Sequence, residues 1–140
     1  MILFLETIHE HSLTIDFSMF LLIWIVQLII YPSFFHVSTD KFKAWHRTYC
    51  NRVSVFVLPL MLLQMIECVC SCFFESQTLN WVRLSTVLLA WSITFLHSAK
   101  KHKKLSFMGK DPDVLASLTN WNWLRTFLWS STFISSFLLY

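Results

Sequence analysis

Four stretches of mainly apolar residues divide this chain, and each is long enough to cross a lipid bilayer as a helix. They cover residues 17–35, 53–74, 82–98 and 114–140. The hydrocarbon core of a bilayer is about 30 Å thick and requires roughly 20 helical residues to span it. The fourth stretch is the most polar, because Asn120, Asn122 and Arg125 lie in its first third. The sequence therefore predicts an all-α protein with one transmembrane domain, residues 1–140.

The composition favours this interpretation over a soluble four-helix bundle. Hydrophobic residues make up 56% of the chain and charged residues only 14%, whereas an average soluble domain has about 25% charged residues. The stretches are apolar around the whole helix rather than along one stripe, as expected for helices that are surrounded by lipid. Because the connections are short, we expect an up-down-up-down bundle.

The basic residues predict how this bundle is oriented. Lys and Arg resist translocation and accumulate in short cytoplasmic loops. Most of them lie in the connections after the first and third stretches, namely Lys41, Lys43, Arg47, Arg52, Lys100, Lys101, Lys103, Lys104 and Lys110. Four crossings place these two connections on one face of the membrane. Both termini are therefore predicted outside, in an integral protein of a bacterial inner membrane with cytoplasmic basic loops.

Polar residues concentrate at the predicted cytoplasmic end of the helices. His36 ends the first helix and His97 the third, while His46 precedes the second helix and His102 follows the third. One such histidine is most simply an interfacial side chain, but several at one end favour a common pocket. Tyr49 shares a helix face with His46, and Asn122 shares one with Arg125, so these residues are added to the predicted pocket. The predicted binding residues are His46, Tyr49, His102, Asn122 and Arg125.

The side chains of this pocket predict a haem, a metal ion or a small lipophilic molecule as its ligand. Neutral imidazoles bind both iron and copper, so His46 and His102 are the candidate metal ligands. Two histidines that face each other from neighbouring helices could also ligate a haem axially. Arg125 suits a haem propionate or a ligand carboxylate, although extension to the lipid headgroups is the simpler alternative.

Two further features lie near the outer end of the second helix. Glu67 is an acid within the membrane, where acids are costly and commonly functional. The alternatives are a protonated acid bonded to a Ser or Thr, or an acid that reaches water at the surface. Cys68, Cys70 and Cys72 have a spacing that, in a continuous helix, does not permit disulfide geometry. We expect these cysteines to be buried, free thiols.

Several short motifs occur along the chain in a characteristic order. They are Tyr31-Pro32, His46-x-x-Tyr49, Pro59-x-Met61, Trp91-x-x-Thr94, His102-x-x-Leu105 with Gly109 and Asp111, Leu118, Asn122-Trp123-x-Arg125-Thr126, and Trp129. In these motifs the chain resembles a group of small, largely uncharacterised four-helix bacterial membrane proteins, similar in outline to anthrone-oxygenase-like proteins. Gln64 stands where this pattern has an acid, and lysines replace a proline before His102. The resemblance implies the fold and a common site for His46, His102, Asn122 and Arg125, but no activity.

Two classes of function fit these features. The first is a membrane oxidoreductase whose cytoplasmic pocket binds haem, a metal ion or a lipophilic substrate. The second is a non-catalytic membrane subunit of a larger complex, or a small transporter component, whose apolar faces contact a membrane protein partner or a second copy. The lipid bilayer is a partner in both. The chain has no nucleic-acid motif, since its lysine-rich run at residues 100–104 is an orientation signal with some attraction for anionic lipid.

Overall fold

The computed structural model describes residue 7 and residues 9–139, and the regular structure in this part of the chain is entirely helical. Only a few residues separate consecutive long helices, at positions 35–38, 75–77 and 109–111. The all-α prediction with four helices is therefore confirmed. The helices are α1 (Ser12–Phe34), α2 (Thr39–Phe74), α3 (Thr78–Met108) and α4 (Pro112–Phe137).

Helices α2 and α3 are longer than the apolar stretches alone predict. Helix α2 begins at Thr39 instead of residue 53, and α3 continues to Met108 instead of residue 98. The additional turns are rich in Lys and Arg, which favour helix but lower the hydropathy of a window. With its 36 residues, α2 is about 54 Å long at the rise of an α-helix. His46 and His102 consequently lie inside helices, not outside them as predicted, whereas the predicted last residue of helix four, Tyr140, lies outside the described residues.

Successive helices run in opposite directions, and each packs against two neighbours in the order α1, α2, α3, α4 and back to α1. Hydrogen bonds at the two ends of the bundle establish these directions. Arg83 in the first turns of α3 bonds to Asp16 in the first turns of α1 and to Glu67 near the end of α2. Near the other end, Tyr31 of α1 bonds to His102 of α3. Polar side chains from several helices are thereby brought together at each end.

The outer surface of the bundle is apolar. Large exposed side chains occur on all four helices, for example Leu28 (57% exposed), Phe56 (71%), Leu96 (67%) and Phe127 (67%). In water, each exposed apolar Å² costs about 25 cal/mol relative to burial, so this surface is suited to lipid. Helices α1, α2 and α3 are long and apolar enough to cross a membrane. Of the four predicted spans, three are therefore candidates by length and composition.

Polar residues lower the average hydropathy of helix α4, and several of them face the interior. Asn122, Arg125 and Thr132 are buried, whereas Phe127 and Phe137 on the opposite face are exposed. An average over the sequence mixes these two faces. Most exposed side chains of α4 are therefore apolar, with Asp113 and Asn120 among the exceptions.

The turn from α3 to α4 is defined by local chemistry. Gly109 has a φ of 96°, a conformation that favours glycine. Asp111 then caps α4, since its carboxylate accepts hydrogen bonds from the backbone N–H groups of Asp113 and Val114, each at 3.1 Å. The bond from Val114, together with the Lys104 ammonium, lowers the pKa of Asp111. These groups hold the start of α4 at the basic end of the bundle.

Helices α1 and α3 each contain one π-helical turn, at Val26–Ile30 and Thr94–Ser98. Turns of this kind are rare overall, but those that occur are frequently found at functional sites. In α1, Pro32 lacks the N–H group that would continue the regular hydrogen bonds. In α3, the Thr94 hydroxyl donates to the Ala90 carbonyl at 2.7 Å. Val26, Thr94 and Ser98, at the ends of these turns, line the cavity of the site described below.

Candidate functional site

His46 of α2 and His102 of α3 meet in the interior at the basic end of the bundle. Nε2 of His46 lies 3.0 Å from Nδ1 of His102, within hydrogen-bonding distance. The two rings are nearly parallel, with 5.2 Å between their centroids. Either ring can carry the shared proton, depending on the tautomer. The structure thus brings together the two histidines that are predicted as metal ligands.

Cys50 lies one helical turn after His46 and completes a group of three metal-binding side chains. Its Sγ is 3.7 Å from Nε2 of His46 and 3.7 Å from Nδ1 of His102. Tetrahedral bonds of about 2.0 Å to nitrogen and 2.3 Å to sulfur place such ligand atoms roughly 3.3–3.6 Å apart. The three atoms therefore need to move only a few tenths of an ångström to share one metal ion.

A hydroxyl group lies on the far side of each imidazole. Nδ1 of His46 is 2.9 Å from Oγ of Ser106, and Nε2 of His102 is 3.0 Å from the hydroxyl of Tyr31. Because hydroxyls can either donate or accept, they suit both tautomers of each ring. Hydrogen bonds of this kind orient metal-binding histidines in proteins. The ring nitrogens that face Cys50 are thus held in place from behind.

Arg125 faces the interior rather than the lipid headgroups. Its Nη1 donates to Oδ1 of Asn122 at 2.9 Å, to Oγ of Ser98 at 3.3 Å and to the Tyr31 hydroxyl at 3.5 Å. The guanidinium also lies over the ring of Trp129, 5.1 Å from the centroid. Tyr31 therefore connects Arg125 to His102, while Asn122 lies behind Arg125.

A cavity of about 200 Å³ lies between the four helices next to these residues. Tyr49, Cys50, His102 and Arg125 line one part of it, and the remaining walls are mostly apolar. Tyr49 is thus a wall of this cavity. The other two end histidines stay apart: His36 contacts the Pro32 carbonyl of its own helix, and the ring of His97 packs against Trp121.

Comparison with known proteins assigns no role to this site. No family model, curated protein or solved structure matches the chain. The resemblance that the motifs indicate therefore stays a prediction. A function must be argued from the geometry of the His46, Cys50 and His102 group and its cavity.

A second polar cluster lies at the opposite end of the bundle and consists of Asp16, Glu67 and Arg83. Nη2 of Arg83 is 2.7 Å from Oδ2 of Asp16 and also pairs with Oε2 of Glu67. All three side chains are at most 1% exposed. Ser71 donates a further hydrogen bond to Glu67, and Gln64 donates one to Asp16 at 2.6 Å. One guanidinium thus bridges two buried carboxylates.

The sequence interpretation of this end of the bundle is corrected in one respect. The third apolar stretch is predicted to begin at residue 82, next to Arg83, whereas α3 begins at Thr78 and contains Arg83 in its second turn. The contact of Glu67 with Ser71 is among the expected alternatives, but the ion pair with Arg83 is not. Its sequence signal is the similar distance of Asp16, Glu67 and Arg83 from the outer ends of three antiparallel helices. All four cysteines are free, and Cys68 and Cys72 are buried as expected, whereas Cys70 is only partly buried.

Gln64 and Trp129 connect the two clusters through the core. The Trp129 indole N–H donates to Oε1 of Gln64 at 2.9 Å, while the amide of Gln64 bonds to Asp16. The ring of Trp129 contacts Arg125. Gln64 therefore acts here as both donor and acceptor, which an ionised acid at the same position could not do.

Proposed function

We propose that the protein is a polytopic membrane protein that binds one copper ion through His46, Cys50 and His102 and acts as an oxidoreductase. The observation that carries this proposal is the convergence of two imidazole nitrogens and one thiol within 3.7 Å of one another. Thiolate and imidazole ligands suit copper and zinc, and divalent copper binds most tightly in the common affinity order. Three protein ligands leave one coordination position for a substrate, as in catalytic sites.

A single ion fits this site better than a haem does. The two imidazoles are in direct hydrogen-bonding contact, so axial ligation from both sides would require α2 and α3 to separate. The cavity of about 200 Å³ is also below the roughly 300–1,000 Å³ of typical pockets for drug-sized ligands. A metal ion needs neither a larger cavity nor a new helix arrangement.

Metal analysis of the purified protein tests this proposal directly. After loading with Cu⁺ in neutral detergent and removal of free ion, we expect one copper per chain. Cys50→Ser and His102→Ala should each lower the affinity at least about 100-fold, because each removes a direct ligand. Cys70→Ser removes a thiol at the other end of the bundle and should bind copper normally.

Loading with Zn²⁺ in place of copper tests which of the two metals the site prefers, since zinc also binds thiolate and imidazole ligands. Circular dichroism should show equal helix content in all variants. Copper that persists in Cys50→Ser would contradict the site. Folded wild-type protein that binds no copper would favour a non-catalytic subunit or transporter component.

We further propose that α4 forms a fourth span and that the histidine site faces the cytoplasm. The lysines and arginines of α2 and the lysines of α3 are at the same end as His46 and His102, which supports this orientation. The predicted outer location of both termini follows from four crossings. The apolar exposed face of α4 supports the fourth span.

Site-directed labelling tests this topology. In intact spheroplasts, whose inner membrane is sealed, a membrane-impermeant maleimide should label Gln77→Cys and leave Lys103→Cys unlabelled. After lysis both positions should react, since both side chains are exposed. Mass spectrometry of the labelled peptides separates these adducts from those of native cysteines. Labelling of both positions in intact spheroplasts would overturn the proposed topology.

A further inference from the structure

The charge of Arg125 lacks a counter-ion. The side chain is only 7% exposed, and no carboxylate in the described part of the chain lies within ion-pair distance of it. Its three hydrogen-bond acceptors are neutral groups on Tyr31, Ser98 and Asn122. Its Nε has no hydrogen-bond partner there. A buried charge is costly unless it is paired, so this environment favours an anionic ligand.

The cavity that Arg125 lines has the composition of a site for an amphiphilic molecule. Its polar part includes Tyr49, Ser98 and Arg125. Most other wall residues are apolar, including Met19, Leu22, Ile23, Val26, Val57 and Leu58. A ligand with a charged oxygen group and an apolar body would contact both parts. Arg is well suited to such a group, because guanidinium binds carboxylates through paired hydrogen bonds.

The position of the cavity indicates the route by which such a ligand enters. Leu58 of α2 and Phe95 of α3 line the cavity and are also 47% exposed on the outer surface. They lie within the spans proposed to cross the bilayer, so this side of the cavity faces lipid. A ligand that enters here must be soluble in the membrane.

We infer that this cavity binds a lipid-soluble carboxylic acid, with its carboxylate at Arg125 and its apolar chain directed toward the bilayer. Cys50 and His102 line the same cavity, so a metal ion held by them would border the bound acid. The cavity thus identifies the substrate class of the metal site, and this last step rests on the proposed function. Binding of the acid itself depends only on Arg125 and the cavity.

Octanoate and octanol are matched probes, because they share an apolar chain and differ in the anionic group. By calorimetry in neutral detergent, we expect one saturable octanoate site per chain and at least 10-fold weaker octanol binding. Arg125→Leu should remove this preference. Lys101→Leu, which removes a positive charge near the same end but outside the cavity, should retain it. Equal binding of the two probes to the wild type would overturn the inference.

Two further variants separate the possible failures. Val57→Phe fills the cavity without altering Arg125 and should abolish octanoate binding, so the test does not depend on Arg125→Leu being folded. His46→Gln, at a metal ligand that does not line the cavity, should lose copper but keep octanoate. In copper-loaded protein oxidised to Cu²⁺, octanoate should shift the visible absorption of the copper–thiolate centre. Binding without a spectral shift would overturn the substrate role, whereas failure of copper loading alone would contradict only the proposed function.

Discussion

Arg83→Met is expected to lower the free energy of unfolding by about 3–5 kcal/mol, the usual effect of removing one partner of a buried ion pair. Asp16 and Glu67 are both 0% exposed and share this guanidinium. Without it, two carboxylates would remain close together in the interior. Among the neighbouring side chains of the described residues, His9 lies 3.7 Å from Glu67 and could compensate at most one of them. The variant should therefore unfold at much lower denaturant than the wild type.

Unfolding by SDS in mixed neutral micelles, followed by circular dichroism, measures this effect. Arg47→Met is the matched control, since Arg47 is exposed on α2 at the opposite end of the bundle. The triple variant Asp16→Asn, Glu67→Gln, Arg83→Met should recover part of the loss because it leaves no unpaired charge. If Arg83→Met and Arg47→Met unfold at the same midpoint, the cluster does not stabilise the fold.

Phe34→Ala is expected to reduce both stability and copper affinity. Phe34 is 0% exposed, and its ring meets those of His46, His102 and Tyr49 edge-on, with centroids 5.4, 6.3 and 5.1 Å away. Removal of a buried Phe side chain typically costs about 3–5 kcal/mol. The space that it leaves would also free both imidazoles to rotate, so copper affinity should fall roughly 10-fold or more, as when outer partners of metal ligands are lost.

The control for this change is Phe73→Ala, because Phe73 is 84% exposed near the other end of α2. It should alter neither the unfolding midpoint nor the copper affinity. Phe34→Leu retains part of the packing and should fall between the wild type and Phe34→Ala. An unstable Phe34→Ala protein with unchanged copper affinity would show that the ring supports the fold but does not position the histidines.

The candidate site was only partly predictable from the chain. His46, His102 and Arg125 are recognisable because several polar residues gather at one end of the predicted helices, although each of them alone has a simple interfacial explanation. Cys50 is not, although the i, i+4 spacing from His46 indicates a shared face. From the sequence, Tyr49 is selected as the residue that shares a face with His46, and the thiol of Cys50 is omitted from the predicted site. Its value as a ligand depends on the approach of α3, which brings Nδ1 of His102 to 3.7 Å from Sγ.

The difference between what one segment specifies and what helix packing specifies also applies to the cluster of Asp16, Glu67 and Arg83. Arg83 lies close to the start of an apolar stretch, where an arginine is usually exposed to water or to headgroups. Inside the bundle it is instead surrounded by acids from two other helices. Such pairs depend on the relative rotation of the helices, which no single segment specifies.

By itself the sequence determined the helical class, the approximate location of the four helices and the collection of basic residues at one end. These properties are local, because a run of apolar residues or a cluster of lysines acts on its own segment. Only the tertiary structure decided the lengths of α2 and α3, the burial of Arg83, and the meeting of His46, Cys50 and His102. Those features depend on which helix faces meet, and the two π-helical turns at Val26–Ile30 and Thr94–Ser98 change the facing residues within α1 and α3. Hydropathy carries no information about that rotation, whereas packing between neighbouring helices determines it.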